Sequence, residues 1–146
     1  ASQTEVWGYF LFRPVTLPGT DKSVLSVLDS GSNESYRAEL ATSGKWTCRI
    51  NGSAPASGTV AAMSTGTTYH VWFHFKNGNG TAVCSVGFST DGTEPTSGNY
   101  FVTKTNGTET DNLASVRIGW EGNTTLEWIL DKLRISTSGT LGNNPD

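Results

Sequence analysis

Apolar and polar side chains alternate with a period of two residues along several short stretches of this chain. The stretch from Tyr69 to Phe75 is the clearest case, because every second residue is a large apolar one. Successive side chains of a strand point to opposite faces, so the pattern predicts strands that each bury one face. No apolar period typical of a helix is sustained anywhere. We therefore expect an all-β protein.

The composition agrees with this prediction, since Ser, Thr, Asn and Gly make up 64 of the 146 residues. Such residues favour turns between short strands. The sequence Asn77-Gly78-Asn79-Gly80 predicts a tight hairpin turn, because Asn and Gly tolerate positive φ. Nine strands are predicted, at Gly8–Arg13, Ser23–Leu28, Ser35–Ala41, Lys45–Ile50, Thr59–Met63, Tyr69–Lys76, Ala82–Ser89, Ser115–Trp120 and Leu126–Ser136.

Nine short strands in one domain bury their apolar faces most simply when two sheets pack face to face. We therefore expect a two-sheet antiparallel β-sandwich of jelly-roll type, formed by residues 5–136 as a single domain. Residues 1–4 and 137–146 are predicted to be remnants of linkers, because they are small and polar. Residues 90–113 are expected to form a long, partly structured loop.

Charge and hydropathy exclude two classes of partner. The net charge is −3, whereas a nucleic-acid platform needs a basic stripe, so we expect no nucleic-acid partner. No stretch approaches the roughly 20 apolar residues of a membrane helix, and no membrane partner is expected. The chain has neither an initiator Met nor a signal segment, so we expect one domain of a larger, multidomain protein.

Three segments of the sequence resemble the concanavalin A-like, laminin-G-like jelly rolls: Tyr69-His70-Val71-Trp72, Ser85-Val86-Gly87-Phe88-Ser89 and the closing stretch from Ile129 to Ser136. The resemblance spans nearly the whole chain and implies a concanavalin A-like sandwich, most similar to a carbohydrate-binding module. The same fold carries lectins, glycanases, lyases and adhesion domains. The fold therefore narrows the function without deciding it.

The strand from Tyr69 to Phe75 offers the first candidate site. Alternation places His70, Trp72 and His74 opposite the apolar face. An indole on an open sheet face can stack against a sugar ring, and the two imidazoles can hydrogen-bond its hydroxyls. The alternative is that a loop, such as residues 90–113, covers this face.

A charged set is predicted on two other strands, where alternation sends Arg37, Glu39 and Arg49 outward. In the family that the sequence resembles, these strands share a sheet with the Trp72 strand and form a concave polysaccharide-binding surface. Arginine and carboxylate groups can each contact two neighbouring hydroxyls of a sugar. The alternative is a cross-strand ion pair between Arg37 and Glu39 on a solvated face.

Catalysis is not expected. Glycanases of this fold carry an E-x-D-x-x-E strand, which is absent, and Glu34 and Glu39 are predicted on opposite faces of one strand. Arg37-Ala38-Glu39-Leu40 matches one strand motif of alginate lyases, but their other two motifs are missing. A lyase or hydrolase, and a structural adhesion domain, remain the alternative functions.

Two further features concern a metal and a crosslink. Alternation sends Asp131 inward and Trp128 outward, and the resemblance implies a structural calcium held by Asp131 and Glu5. A salt bridge from Asp131 to Arg13 is the alternative. Cys48 and Cys84 are both predicted to point inward, which fits either two core thiols or one disulfide.

These observations predict a non-catalytic carbohydrate-binding module that is secreted, monomeric and part of a larger glycan-active protein. Its partner is expected to be a polysaccharide or oligosaccharide. Trp72 would stack on a sugar ring, and the hydroxyls would be contacted by His70, His74, Arg37, Glu39 and Arg49. Tyr100, in the long loop, is predicted either to close over a ligand or to pack at the rim.

Overall fold

A computed structural model of the chain describes residues 3–56, 61–119 and 127–139. Nine strands and a one-turn 3₁₀ helix, Gly98–Tyr100, make up its regular structure. The strands are β1 Glu5–Pro14, β2 Lys22–Asp29, β3 Glu34–Leu40, β4 Trp46–Ile50, β5 Tyr69–Lys76, β6 Gly78–Ser89, β7 Phe101–Glu109, β8 Leu113–Ile118 and β9 Trp128–Ser136. Within the described ranges, no helix is long and apolar enough to cross a membrane.

The strands form two antiparallel sheets that pack face to face. The five-stranded sheet has the order β7-β6-β5-β1-β9, and the four-stranded sheet has the order β4-β3-β2-β8. Strands β5 and β6 form the predicted hairpin, in which Phe75 lies opposite Cys84. Gly80, in the predicted turn sequence, has a φ of 69°. The predicted all-β sandwich is confirmed.

The core lies between the sheets and follows the predicted alternation. On β5, the apolar face is buried in the core cluster through Val71, Phe73 and Phe75. The inward residues predicted on β3 and β4 are also buried there: Tyr36, Ala38, Leu40, Trp46, Cys48 and Ile50. Alternation therefore assigned the inner face correctly wherever a strand is regular.

The predicted loop over residues 90–113 is partly wrong, because β7 occupies Phe101–Glu109. This strand lies at the edge of its sheet, and most of its side chains are at least partly exposed. Its sequence has apolar residues only at Phe101 and Val102, so no alternating apolar pattern indicated a strand here. Residues 61–63 of the predicted fifth strand are not a strand, and residues 59 and 60 lie outside the described residues.

The alternation predicted for β9 is wrong over its first half, and Leu133 and Ile135, predicted to point inward in its second half, are 44% and 47% exposed. Pro14 lies opposite Trp128 and Phe12 opposite Leu130, so Trp128 faces the core and packs 5.2 Å from the Phe12 ring. Asp131 is exposed instead of pointing inward. The register shifts between Tyr9 and Leu11 of β1, which reverses the phase of alternation along β9.

Gln3 and Thr4, which precede β1, are hydrogen-bonded to other parts of the sandwich. The Gln3 carbonyl accepts a hydrogen bond from the Leu113 N–H at 2.8 Å, and the Thr4 carbonyl accepts one from the Asn77 N–H at 2.8 Å. Of the segments predicted as linkers, residues 1–2 and 140–146 lie outside the described residues.

Candidate functional site

The six predicted ligand contacts divide between the two sheets. His70, Trp72 and His74 lie on β5 of the five-stranded sheet, whereas Arg37, Glu39 and Arg49 lie on β3 and β4 of the four-stranded sheet. The expectation of one shared surface is therefore wrong. Alternation reports which face of a strand is buried but carries no information about which strands are neighbours.

Trp72 is not open to solvent. Its side chain points away from the core, yet the residue is only 3% exposed. The ring of Tyr9 lies 5.3 Å away, on the neighbouring strand. On the other side, Gly87 pairs with Trp72, and Pro95 lies within about 3 Å of where a Cβ on Gly87 would be. The segment containing Pro95 therefore covers this face, and the predicted open stacking platform is wrong.

His70 belongs to the same covered cluster. Its ring lies 5.9 Å from the Trp72 ring in a stacked arrangement, and its Nδ1 is hydrogen-bonded to the Tyr9 hydroxyl at 2.8 Å. Burial lowers the pKa of His70 below its ordinary value. This imidazole is therefore neutral at pH 7 and has a protein partner at one nitrogen.

His74 also has protein partners. Its ring stacks on Trp7 with centroids 4.8 Å apart and planes 6° apart. Its Nε2 lies 2.7 Å from the Glu5 carboxylate, which Lys76 approaches at 3.8 Å. The two histidines and Trp72 thus serve the packing of the outer side of the five-stranded sheet.

The pair predicted to hold calcium does not come together. Asp131 lies opposite Leu11, six residues along β1 from Glu5. At a strand rise of about 3.3 Å per residue, this separates the two positions by roughly 20 Å. They cannot ligate the same ion. No group of three His, Cys, Asp or Glu side chains that could hold a metal occurs among residues 3–56, 61–119 and 127–139.

The charged residues of β3, in contrast, lie at an open groove on the outer side of the four-stranded sheet. This charged groove has a volume of about 380 Å³. It is lined by Asp21, Lys22, Ser23, Ser26, Leu28, Ser32, Glu34, Arg37, Glu39, Arg117 and Gly119.

A chain of ion pairs runs along the floor of the charged groove. Arg37 donates from Nε to Glu34 at 2.6 Å and from Nη1 to Glu39 at 3.3 Å. The other oxygen of Glu39 accepts a hydrogen bond from Arg49 Nε at 2.7 Å. The Ser26 hydroxyl donates to Glu34 at 2.9 Å. The alternative interpretation of Arg37 and Glu39 as an ion pair is correct, but the pair lies within β3 and not across two strands, and Glu39 is buried.

The register of the sheet explains this arrangement. Arg37 and Arg49 lie directly opposite each other on β3 and β4, where two like charges repel. Glu39 is two residues along from Arg37 on the same face, so its two oxygens bridge both guanidinium groups. The carboxylate neutralises a cross-strand repulsion and holds both arginines in place.

The pKa values reflect this balance. Burial of Glu39 by itself raises the pKa of its carboxyl, but the hydrogen bonds and charges of Arg49 and Arg37 outweigh burial and lower it overall. The hydrogen bond to Glu34 raises the pKa of the Arg37 guanidinium. These groups are therefore ionised at neutral pH.

Sequence reasoning missed Glu34 as part of this site. Glu34 and Glu39 were predicted on opposite faces, but both contact Arg37. Glu34 is the first residue of β3, and the pairing of β2 with β3 shifts register between Val27 and Leu28, beside it. A strand end next to an irregularity does not keep strict alternation.

Comparisons with known proteins agree with the fold. No model of a protein family matches the sequence, and no curated protein matches it. A sialidase from Trypanosoma rangeli is similar in structure, with a TM-score of 0.64 at 13% sequence identity. That match covers 92% of this chain and 20% of the sialidase chain.

A native heptameric SAP-like pentraxin from Limulus polyphemus matches with a TM-score of 0.54 at 15% identity. It covers 92% of this chain and 65% of the pentraxin chain. The two-sheet sandwich is thus a fold that also occurs in these two proteins, which agrees with the fold that the sequence predicts. This chain spans about a fifth of the sialidase and less than two thirds of the pentraxin.

Proposed function

We propose that this chain is a non-catalytic glycan-binding domain that holds a polysaccharide or oligosaccharide in the charged groove. The observation that carries the proposal is the chain of ion pairs on the groove floor, in which each charged side chain is already positioned by its neighbour. A rigid polar surface loses little side-chain entropy when a ligand binds. Hydroxyl groups of a sugar are the natural partners for such a surface.

Side chains that line the charged groove can hydrogen-bond a ligand in addition to each other. The Arg37 side chain is 40% exposed although it contacts both Glu34 and Glu39. A guanidinium has five N–H donors in a fixed plane, so several vicinal hydroxyls can be contacted from one side. Ser23 and Ser26 supply hydroxyls on the neighbouring strand, within hydrogen-bond distance of each other.

The charges lining the groove favour a neutral glycan. Asp21, Glu34 and Glu39 are matched in number by Lys22, Arg37 and Arg117, and no aromatic side chain from the described part of the chain lines the groove. Arg49, which contacts Glu39 beside these lining residues, brings the total to at most one net positive charge, so the groove lacks a strong field that would select an acidic polymer. Recognition would rest on hydroxyl contacts, with a dissociation constant of roughly micromolar to millimolar.

A binding role is favoured over hydrolysis or lyase chemistry by two features. A glycosidase acid needs a raised pKa, whereas that of Glu39 is lowered and both its oxygens contact arginines. A lyase mechanism would need His70 or His74 close to Arg37, but these histidines lie on the five-stranded sheet and Arg37 lies on the four-stranded sheet.

We further propose that the domain is an accessory module of a larger secreted protein.

A panel of neutral and acidic polysaccharides tests the proposal by affinity gel electrophoresis, with an assay for reducing ends and unsaturated products on the same samples. We expect at least one neutral polymer to retard the chain without product release. Arg37→Lys keeps the charge but loses the planar set of donors, and it should abolish most of the retardation.

Arg134→Lys is the matched control, because Arg134 is an exposed arginine on the other sheet. It should be retarded like the parent chain. Melting curves of both variants show whether they are folded. Retardation by no polymer, or equal retardation of the Arg37→Lys variant, would contradict the proposal, and product release would favour an enzyme.

A further inference from the structure

A second pocket lies away from the charged groove, where β5 begins and β6 ends. This end pocket has a volume of about 410 Å³ and is lined by Tyr69, Thr90, Asp91 and Tyr100 together with Ala61. It shares no lining residue with the charged groove. The glycan-binding function proposed for the charged groove therefore does not involve the end pocket.

Tyr100 gives the end pocket an exposed aromatic ring. The residue is 55% exposed, and no other aromatic residue in the described part of the chain is as exposed. Its ring packs edge to face against Phe88, with centroids 5.6 Å apart, and Phe88 is fully buried in the core. The ring is thus anchored on one side and open to solvent on the other.

The two sides of the pocket are tied together by the backbone. Tyr100 ends the 3₁₀ helix, and the carbonyl of the preceding Asn99 accepts a hydrogen bond from the Ala61 N–H at 2.5 Å. Gly98, which begins the helix, has a φ of 83°, a conformation that favours glycine. The ring is therefore held in position before any ligand arrives.

Asp91 supplies the charged group of the end pocket. Its Oδ1 accepts a hydrogen bond from the Thr93 N–H at 2.9 Å, and this bond lowers the pKa of the carboxyl. The carboxylate is oriented, exposed and ionised at neutral pH. Among the described residues that line the pocket, Asp91 is the one that carries a charge.

We propose that the end pocket is a second saccharide site, which takes a single neutral sugar ring, such as the end of an oligosaccharide. The apolar face of the ring stacks on Tyr100, as C–H groups do on aromatic planes. Two neighbouring hydroxyls donate to the Asp91 carboxylate, which can accept both. The single negative charge disfavours an acidic sugar.

Titration of the ¹⁵N-labelled chain with methyl glucoside, methyl galactoside, methyl mannoside and glucuronate tests this site. We expect at least one neutral glycoside to shift the amides of residues 89–91 and 100, with a millimolar dissociation constant. Glucuronate should bind about tenfold more weakly than methyl glucoside or not at all.

Substitutions at the two contacts make the test specific. Tyr100→Ala removes the stacking surface and Asp91→Asn removes the charge, so each should weaken binding about tenfold or more. Tyr100→Phe keeps the ring and should bind within about threefold of the parent chain. Equal binding by Tyr100→Ala and Asp91→Asn, or no neutral glycoside that shifts these amides, would overturn the proposal.

The Arg37→Lys variant separates this proposal from the preceding one. It should bind the neutral glycoside at the end pocket like the parent chain, whatever it does to retardation by polysaccharide. Loss of polysaccharide retention with Arg37→Lys, together with unchanged glycoside binding by Tyr100→Ala and Asp91→Asn, would support the charged groove and reject the end pocket. The reverse result would reject the groove alone.

Discussion

Individual side chains of the five-stranded sheet decide how tightly its strands pack. Gly8 lies opposite Phe73, and the Phe73 ring occupies the space above it, within 1.9 Å of where a Cβ would be placed. Phe73 is buried in the core and has little freedom to move aside. The absence of a side chain at Gly8 is therefore a requirement of core packing.

Gly8→Ala should lower the free energy of unfolding by about 1–3 kcal/mol, because the added methyl group overpacks the core. Chemical denaturation followed by tryptophan fluorescence measures this loss. Arg13→Ala, at an exposed position on the same strand, should change it by less than about 0.5 kcal/mol. Parent-like stability of the Gly8→Ala variant would show that the Phe73 ring does not need this space.

Trp72 is the residue at which sequence and structure diverge most. Because the indole is covered by Tyr9 and the segment around Pro95, Trp72→Ala should cost about 3–5 kcal/mol of stability. The milder Trp72→Phe should stay folded and retain the glycan like the parent chain, as judged by gel retardation. Lost retention in a folded Trp72→Phe variant would restore a direct role for the indole.

At the scale of the elements, the pairing of β3 with β4 makes stability depend on pH. The pKa of Glu39 is below its ordinary value of 4.5 in the folded state. Its ion pairs therefore contribute their full stabilisation above pH 4.5, and the contribution is lost as the pH falls below 4.5 through the lower folded-state pKa.

Glu39→Gln, which cannot ionise, should be less stable than the parent chain at pH 7 and lose less stability on acidification to pH 3. Urea denaturation at both pH values measures the two losses. The Glu39 side chain is only 8% exposed, so salt should screen the effect weakly. An identical pH dependence in parent and variant would mean that Glu39 does not stabilise the strand pair.

Regular strands are the elements that the sequence could predict. On β3, β4 and β5, alternation identified the buried face, because the core there demands an apolar side chain at every second position. It failed for Asp131 and Trp128, where a register shift reverses the phase. Alternation also gave the wrong face for Glu34, which is the first residue of β3. The Glu34 carboxylate accepts a hydrogen bond from Arg37 and lines the charged groove.

At the scale of the whole molecule, two thiols lie in the core between the sheets. Cys48 on β4 and Cys84 on β6 belong to different sheets, and both are fully buried. The Cys84 thiol reaches the Arg37 carbonyl at 3.5 Å, on the opposite sheet. Burial, followed by the neighbouring Cys48 thiol, raises the pKa of Cys84 well above its ordinary value.

A buried thiol with a raised pKa carries almost no thiolate, which is the reactive form. After reduction and removal of the reductant, the folded chain should therefore react very slowly with Ellman's reagent, whereas the chain in guanidinium should show two thiols. Rapid reaction of the folded chain would mean that the sandwich opens at this position.

The order of the strands in each sheet is a property of the whole molecule. This order determines which of the predicted residues lie on the same surface. The six residues predicted to share one surface lie on two sheets, because long-range pairing depends on the complete topology. Residue types alone therefore identified Arg37, Glu39 and Arg49 as candidates. They could not show that these residues lie on a different sheet from the covered face around Trp72.

The proposed binding of a neutral glycan in the charged groove of the four-stranded sheet can be observed residue by residue. Amide shifts of the ¹⁵N-labelled chain, recorded with an oligosaccharide made from a retarding polymer, test it most directly. The shifts should cluster on β2 and β3 around Ser26, Glu34 and Arg37. Binding without shifts on these two strands would contradict it.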